Sequence, residues 1–313
     1  MHIFETLAPI IILLAVGAAL ARWRFLGREF MSDLNRLVFY LALPSLIFMS
    51  VATAAKPADD TLTIIAVLSG ATMVSAAVGG ALARWVLRIP FAALGTFVQS
   101  AFRGNLMFVG VPILTYALAE LPTAEREKAM ATIFLAITPI MVLYNVLSVI
   151  ALQASDTQSG RGGTSLMLRN IATNPLILAC AVGLLFMHFG LPVPIFVGRS
   201  LDALGGAAVP VALLCVGGTL HSIELSGNRV TIIAAAVVKV FIGPVVAFAM
   251  ARACGLNGTE LQIIVVLVAC PTATAAYIMA RQMRGDDSLA AGSIALSTIL
   301  AFVSLALALA LTS

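Results

Sequence analysis

Long apolar runs separated by short polar connections dominate the chain. Ten runs approach or exceed the roughly 20 residues that an α-helix needs to cross the hydrocarbon core of a bilayer. With boundaries accurate to a few residues, they cover positions 5–22, 34–55, 61–83, 90–119, 129–152, 170–190, 200–220, 230–252, 260–281 and 288–311. The pattern predicts an all-α polytopic membrane protein with ten transmembrane helices, called spans 1 to 10 below.

Composition agrees with this pattern and excludes several functional classes. Hydrophobic residues make up 61% of the 313 positions and charged residues 10%, against roughly one quarter charged in soluble domains. The net charge of +4 comes from arginines scattered singly between apolar runs, so no nucleic-acid partner is expected. The four cysteines lack paired spacing and no phosphate-binding loop occurs, so neither a metal nor a cofactor is predicted.

The distribution of basic residues predicts the orientation in the membrane. Alternate connections carry eleven Lys or Arg residues on one side and five on the other. The positive-inside rule places the richer side in the cytoplasm, with both termini outside it. We therefore expect a multi-pass protein of the cell membrane, which is the inner membrane if the chain is bacterial.

The chain divides into two halves. The segment 153–169, "QASDTQSGRGGTSLMLR", is Gly/Ser-rich and predicts a flexible cytoplasmic linker between a first five-helix repeat at 1–152 and a second at 170–313. Because five is odd, the second half enters the membrane in the opposite sense, as in inverted-repeat transporters. A constant offset of 166 pairs Pro9 with Pro175, Gly17 with Gly183, Pro44 with Pro210 and Asn105 with Pro271.

Helix-breaking residues interrupt equivalent spans of the two halves. Pro271 lies in span 9, where it removes a helical hydrogen bond. Gly104, Gly110 and Pro112 lie in span 4 and are expected to loosen that helix over two turns. Paired interruptions of this kind indicate the substrate site of a transporter.

Five segments distributed over nearly the whole chain are distinctive: "FYLALPSLIF", "NLMFVGVPI", "NPLILACAVGLLF", "GGAAVPVALLCVGGTL" and "CPTATAAYIMA". Together they resemble the auxin efflux carrier family in its bacterial branch. The resemblance implies a fold similar to the bile-acid/sodium symporters, with scaffold spans 1, 2, 6 and 7 and transport spans 3–5 and 8–10. Broken spans 4 and 9 would cross, and the scaffold would form a homodimer.

The resemblance also implies an organic anion as substrate. The family's crossover asparagine and proline correspond to Asn105 and Pro271, and its polar site on span 5 falls near Tyr144 and Asn145. Plant carriers have a long loop between the halves where this chain has only the short linker, so auxin itself is not implied.

Two basic residues support an anion independently of the resemblance. Arg103 and Lys239 lie near the middle of spans, whereas all Asp and Glu residues fall at span ends or in loops. A buried cation in a span needs compensation. For Arg103 this means carbonyl groups, water or a bound anion, and for Lys239 the same groups or loss of its proton.

The interruption at Pro271 supplies further candidate ligands. If the helix opens there, backbone amides of Thr272, Ala273 and Thr274 face the anion at the start of the following half-helix. The hydroxyl groups of Thr272 and Thr274 are the alternative donors, and Tyr277 is placed to cap the cavity.

The sequence thus predicts a secondary transporter of a small organic anion, a carboxylate, that alternates access at the crossing of spans 4 and 9. The alternatives are an anion channel and a membrane-embedded enzyme, but no catalytic nucleophile with a base is found, so enzymatic activity is not expected. Besides the lipid bilayer, the partners include a coupling ion, either a proton or sodium.

Overall fold

The computed structural model describes residues 2–23, 25, 27–53, 60–155, 172–220 and 228–312. Within these ranges the chain is helical, and the only β-type pairing is one isolated bridge. Most of the predicted linker at 153–169 lies outside the described residues, as do several of the basic residues used to predict orientation.

The described ranges contain fifteen α-helices, and four π-helical turns directly adjoin six of them. The α-helices are α1 (His2–Arg22), α2 (Arg28–Leu37), α3 (Leu43–Ala52), α4 (Thr61–Ala81), α5 (Phe91–Phe102), α6 (Val111–Ala117), α7 (Thr123–Ser155), α8 (Pro175–Phe189), α9 (Ile195–Gly206), α10 (Ala208–Leu220), α11 (Arg229–Val237), α12 (Gly243–Ala253), α13 (Gly258–Ala269), α14 (Ala275–Gln282) and α15 (Asp287–Thr312). The π turns are Val38–Ala42, Leu82–Val86, Leu106–Gly110 and Val238–Ile242.

Six continuous helical stretches of 24 to 33 residues are long and apolar enough to cross a membrane. They are Glu29–Ala52, Thr61–Val86, Thr123–Ser155, Ile195–Gly218, Arg229–Ala253 and Asp287–Thr312. Shorter apolar helices occupy the positions of the other predicted spans, and spans 4 and 9 are each divided in two. An all-helical membrane architecture is therefore confirmed, whereas the count of ten crossings stays a prediction.

Three of the π turns are explained by a proline that follows them. Pro44, Pro112 and Pro244 each come two residues after the end of a π turn. A proline ring collides with the carbonyl group four residues earlier, which here belongs to the middle residue of the π turn. The wider turn moves that carbonyl away from the ring. In span 8 the displaced carbonyl, that of Val240, accepts a hydrogen bond from the Ser304 hydroxyl group.

This explanation corrects the prediction for span 4. The helix is interrupted at Arg103–Asn105, and Gly104 is part of the interruption. Gly110 and Pro112 lie beyond it, at the transition from the π turn to α6, where Gly110 has helical dihedral angles of −63° and −52°. They widen one helical turn without breaking the helix.

The structure separates into two compact units, each of which combines segments from both predicted repeats. Unit 1 comprises Met1–Leu62, Met107–Pro139 and Ile171–Ser222, and unit 2 comprises Thr63–Leu106, Ile140–Asn170 and Ile223–Ser313. Spans 4 and 5 are thus each shared between the units.

Unit 1 is built on two close helix pairs, α1 with α10 and α3 with α8. A Cβ atom on Gly17 would clash with the Leu214 carbonyl oxygen, and one on Gly183 would lie 3.3 Å from the Phe48 carbonyl oxygen. Glycine lets the backbones approach this closely, which is how membrane helices gain van der Waals contact without a hydrophobic driving force.

Unit 2 packs α11 and α13 against the long helix α15, and α12 against α13. The chain interruptions after α5 and after α13 both belong to this unit. Its interior also contains buried polar side chains, and these form the candidate site.

Candidate functional site

The two interruptions pair with each other through their backbones. After α5 the residues Arg103–Asn105 are not helical, and after α13 the same is true of Cys270–Ala273. The Asn105 amide donates to the Pro271 carbonyl at 2.8 Å, and the Ala273 amide donates to the Arg103 carbonyl at 2.9 Å. These two bonds form a short antiparallel bridge between Gly104 and Thr272. Helical structure is thus interrupted at both places, whereas the equivalence of the two spans stays a prediction.

Thr272 satisfies further backbone groups that the interruptions leave without helical partners. Its hydroxyl group donates to the Ser100 carbonyl at 2.8 Å, and its amide donates to the Ser297 hydroxyl oxygen at 3.0 Å. Unpaired backbone groups at membrane depth cost several kcal/mol each, so these bonds stabilise the interrupted conformation.

This bonding corrects the expectation that amides of Thr272 and Ala273 are free for an anion. Both amides already donate to protein oxygens, those of Ser297 and Arg103. The Thr274 side chain is exposed, and Tyr277 is half-buried. Neither side chain has a hydrogen bond to the bridge in the part of the chain that the structure describes.

Arg103 extends from the interruption toward α7. Its Nη2 donates to Asn145 Oδ1 at 2.8 Å and its Nη1 donates to Ser148 Oγ at 3.1 Å. The side chain is 8% exposed, and its buried Nε has no hydrogen-bond partner. Among the described residues no carboxylate lies within ion-pair distance of it. Asn145 and Ser148 are neutral, so they orient the guanidinium group but leave its charge unbalanced.

Asn105 and Tyr144 lie beside the same interruption. The Asn105 side chain is 8% exposed, and its amide has no hydrogen-bond partner within the described ranges. The Tyr144 hydroxyl group lies beside the backbone of Gly104. A Cβ atom on Gly104 would lie 3.4 Å from that hydroxyl group and 3.5 Å from the Leu267 carbonyl oxygen. Glycine therefore permits the close approach of three segments.

Lys239 approaches from the π turn Val238–Ile242. Its ammonium group donates to the Val268 carbonyl at 2.6 Å, and only 1% of the side chain is exposed. Val268 lies in the last turn of α13, three residues before Pro271. The second predicted buried cation is thus adjacent to the same interruption as Pro271.

The structure brings together six of the predicted site residues: Arg103, Asn105, Tyr144, Asn145, Pro271 and Thr272. The Ala273 backbone amide donates to the Arg103 carbonyl group, and the Lys239 ammonium group donates to the Val268 carbonyl group three residues before Pro271. That these residues bind a substrate stays a prediction.

Four polar residues of the same region were missed. Gln99 donates from Nε2 to the Ala276 carbonyl at 2.9 Å, and its buried Oε1 has no partner. Ser148 and Ser297 accept the bonds given above, and the Ser293 hydroxyl group is buried without a partner. The available signal was their helical spacing: Asn145 and Ser148 are three residues apart, and Ser293 and Ser297 are four apart on otherwise apolar helices.

No group of three or more His, Cys, Asp or Glu side chains in the described ranges is arranged to hold a metal ion. The polar groups of the site are instead amides, hydroxyl groups and two basic side chains. Such groups donate hydrogen bonds to anionic oxygens.

Comparison with known proteins agrees with the architecture. Residues 2–309 match the family model described as "Membrane transport protein". An "Uncharacterized transporter" of Methanothermobacter thermautotrophicus is 28% identical, covering 97% of this chain and 96% of its own. A "Putative malonate transporter" of Rhizobium meliloti is 26% identical, and the similarity covers 87% of this chain and 84% of the Rhizobium meliloti protein.

A plant protein extends the similarity to auxin carriers. The "Probable auxin efflux carrier component 3b" of Oryza sativa subsp. japonica is 28% identical over 143 residues, which are 42% of this chain and 24% of the plant protein. The family model covers almost the entire sequence, so its assignment does not depend on this partial match. The chain belongs to the membrane transport protein family that includes the auxin efflux carriers.

Proposed function

We propose that the protein is a secondary transporter that carries a small organic anion, a carboxylate, by alternating access at the paired interruptions. The observation that carries this proposal is Arg103. Its guanidinium group is buried at the interruption, held by two neutral side chains, and has no described carboxylate partner.

A bound anion would balance the buried positive charge of Arg103 and accept hydrogen bonds from the free N–H groups beside it. A cation in the middle of a span costs about 2.5 to 3.5 kcal/mol on insertion scales, and a bound carboxylate offsets part of that cost. Arg103 keeps Nε free, and the side-chain amide of the neighbouring Asn105 has no partner within the described residues. Both are N–H donors, and hydrogen bonds to an ionised acceptor are about twice as strong as neutral ones.

The name of one relative agrees with this substrate class. The Rhizobium meliloti protein is named as a malonate transporter, and malonate is a small dicarboxylate. We extend only the class, a small carboxylate, to this chain.

Internal symmetry supports ten spans in two inverted five-helix repeats. The 166-residue offset relates Gly17 to Gly183 and Phe48 to Leu214. Gly17 packs on the Leu214 carbonyl group, and Gly183 packs on the Phe48 carbonyl group. One contact is therefore the repeat of the other. The offset also relates Asn105 to Pro271, which are hydrogen-bonded partners. Two-fold related halves produce this pattern, in which equivalent residues meet at the axis.

The remaining parts of the proposal concern orientation and assembly. We propose that both termini lie outside the cytoplasm, that spans 1, 2, 6 and 7 form a scaffold through which two copies associate, and that spans 3–5 and 8–10 carry the substrate. Cysteines introduced near Asp156 and Arg284 should then react only with cytoplasmic reagents. Labelling at Asp156 from outside would contradict the orientation.

The central test is uptake into proteoliposomes. A panel of monocarboxylates and dicarboxylates is offered with imposed sodium or pH gradients, and saturable uptake of at least one anion is expected. Uptake that does not saturate would indicate the alternative of an anion channel. Chemical conversion of the anion would indicate an enzyme, and the absence of uptake for every anion would contradict the proposal.

A further inference from the structure

Lys239 occupies a position that a free cation would otherwise favour. Its ammonium group lies 2.6 Å from the Val268 carbonyl oxygen, and only 1% of the side chain is exposed. The proposed transport of an anion assigns no contact between substrate and this residue, so its charge requires a separate explanation.

The Val268 carbonyl group is available because α13 ends early. In a continued helix it would accept from the Thr272 amide, but that amide donates to Ser297. Pro271 has no amide hydrogen, so the Leu267 carbonyl group also loses its helical donor. The last turn of a helix carries partial negative charge on such carbonyl groups, and a cation there is favourable.

A neutral hydroxyl group lies close to this helix end. One turn after Lys239, a Cβ atom on Gly243 would lie 3.2 Å from the Ser75 hydroxyl oxygen and 3.3 Å from the Val268 side chain. The Ser75 hydroxyl group is buried and has no hydrogen-bond partner. Carbonyl and hydroxyl oxygens at the C-terminal end of a broken membrane helix are the groups that coordinate sodium in ion-coupled carriers.

We propose that the Lys239 ammonium group is a built-in replacement for such a coupling cation, so that anion binding at the interruptions does not require sodium. The inference rests on the proposed function for its substrate. Lys239 acts as a positioning residue: its charge stabilises the end of α13, and thereby the bridge that holds Asn105 and Arg103. Direct contact with the anion is the competing role, and burial of all but 1% of the side chain disfavours it.

The first measurement uses the unaltered protein. Affinity for the transported anion is measured with sodium and with N-methylglucamine at equal ionic strength, and the two values should agree within about twofold. A requirement for sodium would overturn the inference. If no anion binds under any condition, the proposed function fails, and the experiment below still tests Lys239 because its readout needs no substrate.

The second measurement is chemical rescue of Lys239→Ala. Removal of the ammonium group should lower both the melting temperature and the anion affinity, the latter by about tenfold. Methylammonium or sodium should raise the melting temperature of this variant and leave that of the unaltered protein unchanged, because only the variant has an empty cation position. Lys239→Met fills the space with an apolar chain and should not respond to either cation.

Lys128→Ala is the matched control, since Lys128 is an exposed lysine at the start of α7 in unit 1. This variant should change neither the melting temperature nor the anion affinity. Normal stability of Lys239→Ala without added cations would contradict the inference. The inference would also be contradicted if Lys239→Ala folds with a lowered melting temperature that neither methylammonium nor sodium raises. If Lys239→Ala does not fold, the sodium comparison on the unaltered protein still decides the question.

Discussion

The two compact units differ sharply in the polarity of their interiors. Among the described residues, unit 1 buries only three polar side chains, those of Ser45, Thr61 and Thr132, and all the other buried polar or charged side chains belong to unit 2. The five buried side-chain atoms without hydrogen-bond partners also belong to unit 2, on Ser75, Gln99, Ser100, Arg103 and Ser293.

This difference separates two ways of stabilising helices in a membrane. Unit 1 relies on close backbone contact at glycines, as at Gly17 and Gly183, and buries few polar side chains. Unit 2 keeps two interruptions whose backbone groups must be satisfied by partners from elsewhere. Such an arrangement is costly in hydrocarbon, and polar groups inside spans mark functional sites. We therefore expect variants in unit 2 to affect anion binding and variants in unit 1 to affect stability.

The largest effect is expected for Arg103→Met. The change removes the unbalanced charge, and anion affinity should fall by at least about 100-fold, or about 2.7 kcal/mol. Binding is measured by calorimetry on purified protein whose melting temperature is recorded in parallel. Arg126→Met, the same change at an exposed position of unit 1, is the control and should bind normally. Unchanged affinity in Arg103→Met would remove the central observation of the proposed function.

Gly17→Ala should produce the next largest effect, on stability. The added Cβ atom meets the Leu214 carbonyl group, and overpacking of this kind costs about 1 to 3 kcal/mol. The melting temperature should fall, while the anion affinity of the folded protein stays the same. In the control Gly206→Ala the added atom meets nothing within 4 Å, so no loss is expected. Loss of affinity in Gly17→Ala with an unchanged melting temperature would contradict the division between the units.

For Asn105→Ala we expect a smaller loss, of affinity alone. The side-chain amide has no described protein partner, so its removal should lower affinity about tenfold, or about 1.4 kcal/mol, and leave the melting temperature nearly unchanged. Asn174→Ala is the matched change in unit 1. Asn174 accepts from the Leu176 and Ile177 amides at the start of α8, so its loss should cost about 1 kcal/mol of stability without affecting affinity. If Asn105→Ala lowered only the melting temperature and Asn174→Ala lowered only the anion affinity, the roles assigned to the two asparagines would be wrong.

The smallest effect is expected for Pro271→Ala. If the proline alone kept the helix open, its replacement would let the helix close and affinity would fall about tenfold. In the structure, however, the Thr272 and Ala273 amides and the Thr272 hydroxyl group all bond outside α13. Affinity should therefore fall by less than about threefold. Thr274→Val, at an exposed position, provides the baseline, and a tenfold loss in Pro271→Ala alone would favour the proline as the sole cause of the interruption.

The interruptions themselves were predictable because their signals are local. Pro271 lacks an amide hydrogen, and a buried asparagine beside Gly104 is unusual within an apolar run, so both positions were identified without tertiary information. Gly110 and Pro112 were misplaced by the same reasoning. Pro112 follows a π turn and does not break the helix, as is also the case for Pro244 in span 8, where the Ser304 hydroxyl group donates to the displaced Val240 carbonyl.

The sequence by itself determined that this is a helical membrane protein, that two helices are broken, and that Arg103 and Lys239 are basic residues within apolar spans. These features follow from the energy of transferring each residue into hydrocarbon and from the backbone chemistry of proline, which depend on neighbours in the chain. Only the tertiary structure decided which groups are hydrogen-bonded. Arg103 donates to Asn145 and Ser148, Lys239 donates to the Val268 carbonyl group, and the Thr272 amide donates to the Ser297 hydroxyl oxygen. Such bonds join residues 25 to 45 positions apart, and their formation depends on which helices pack together.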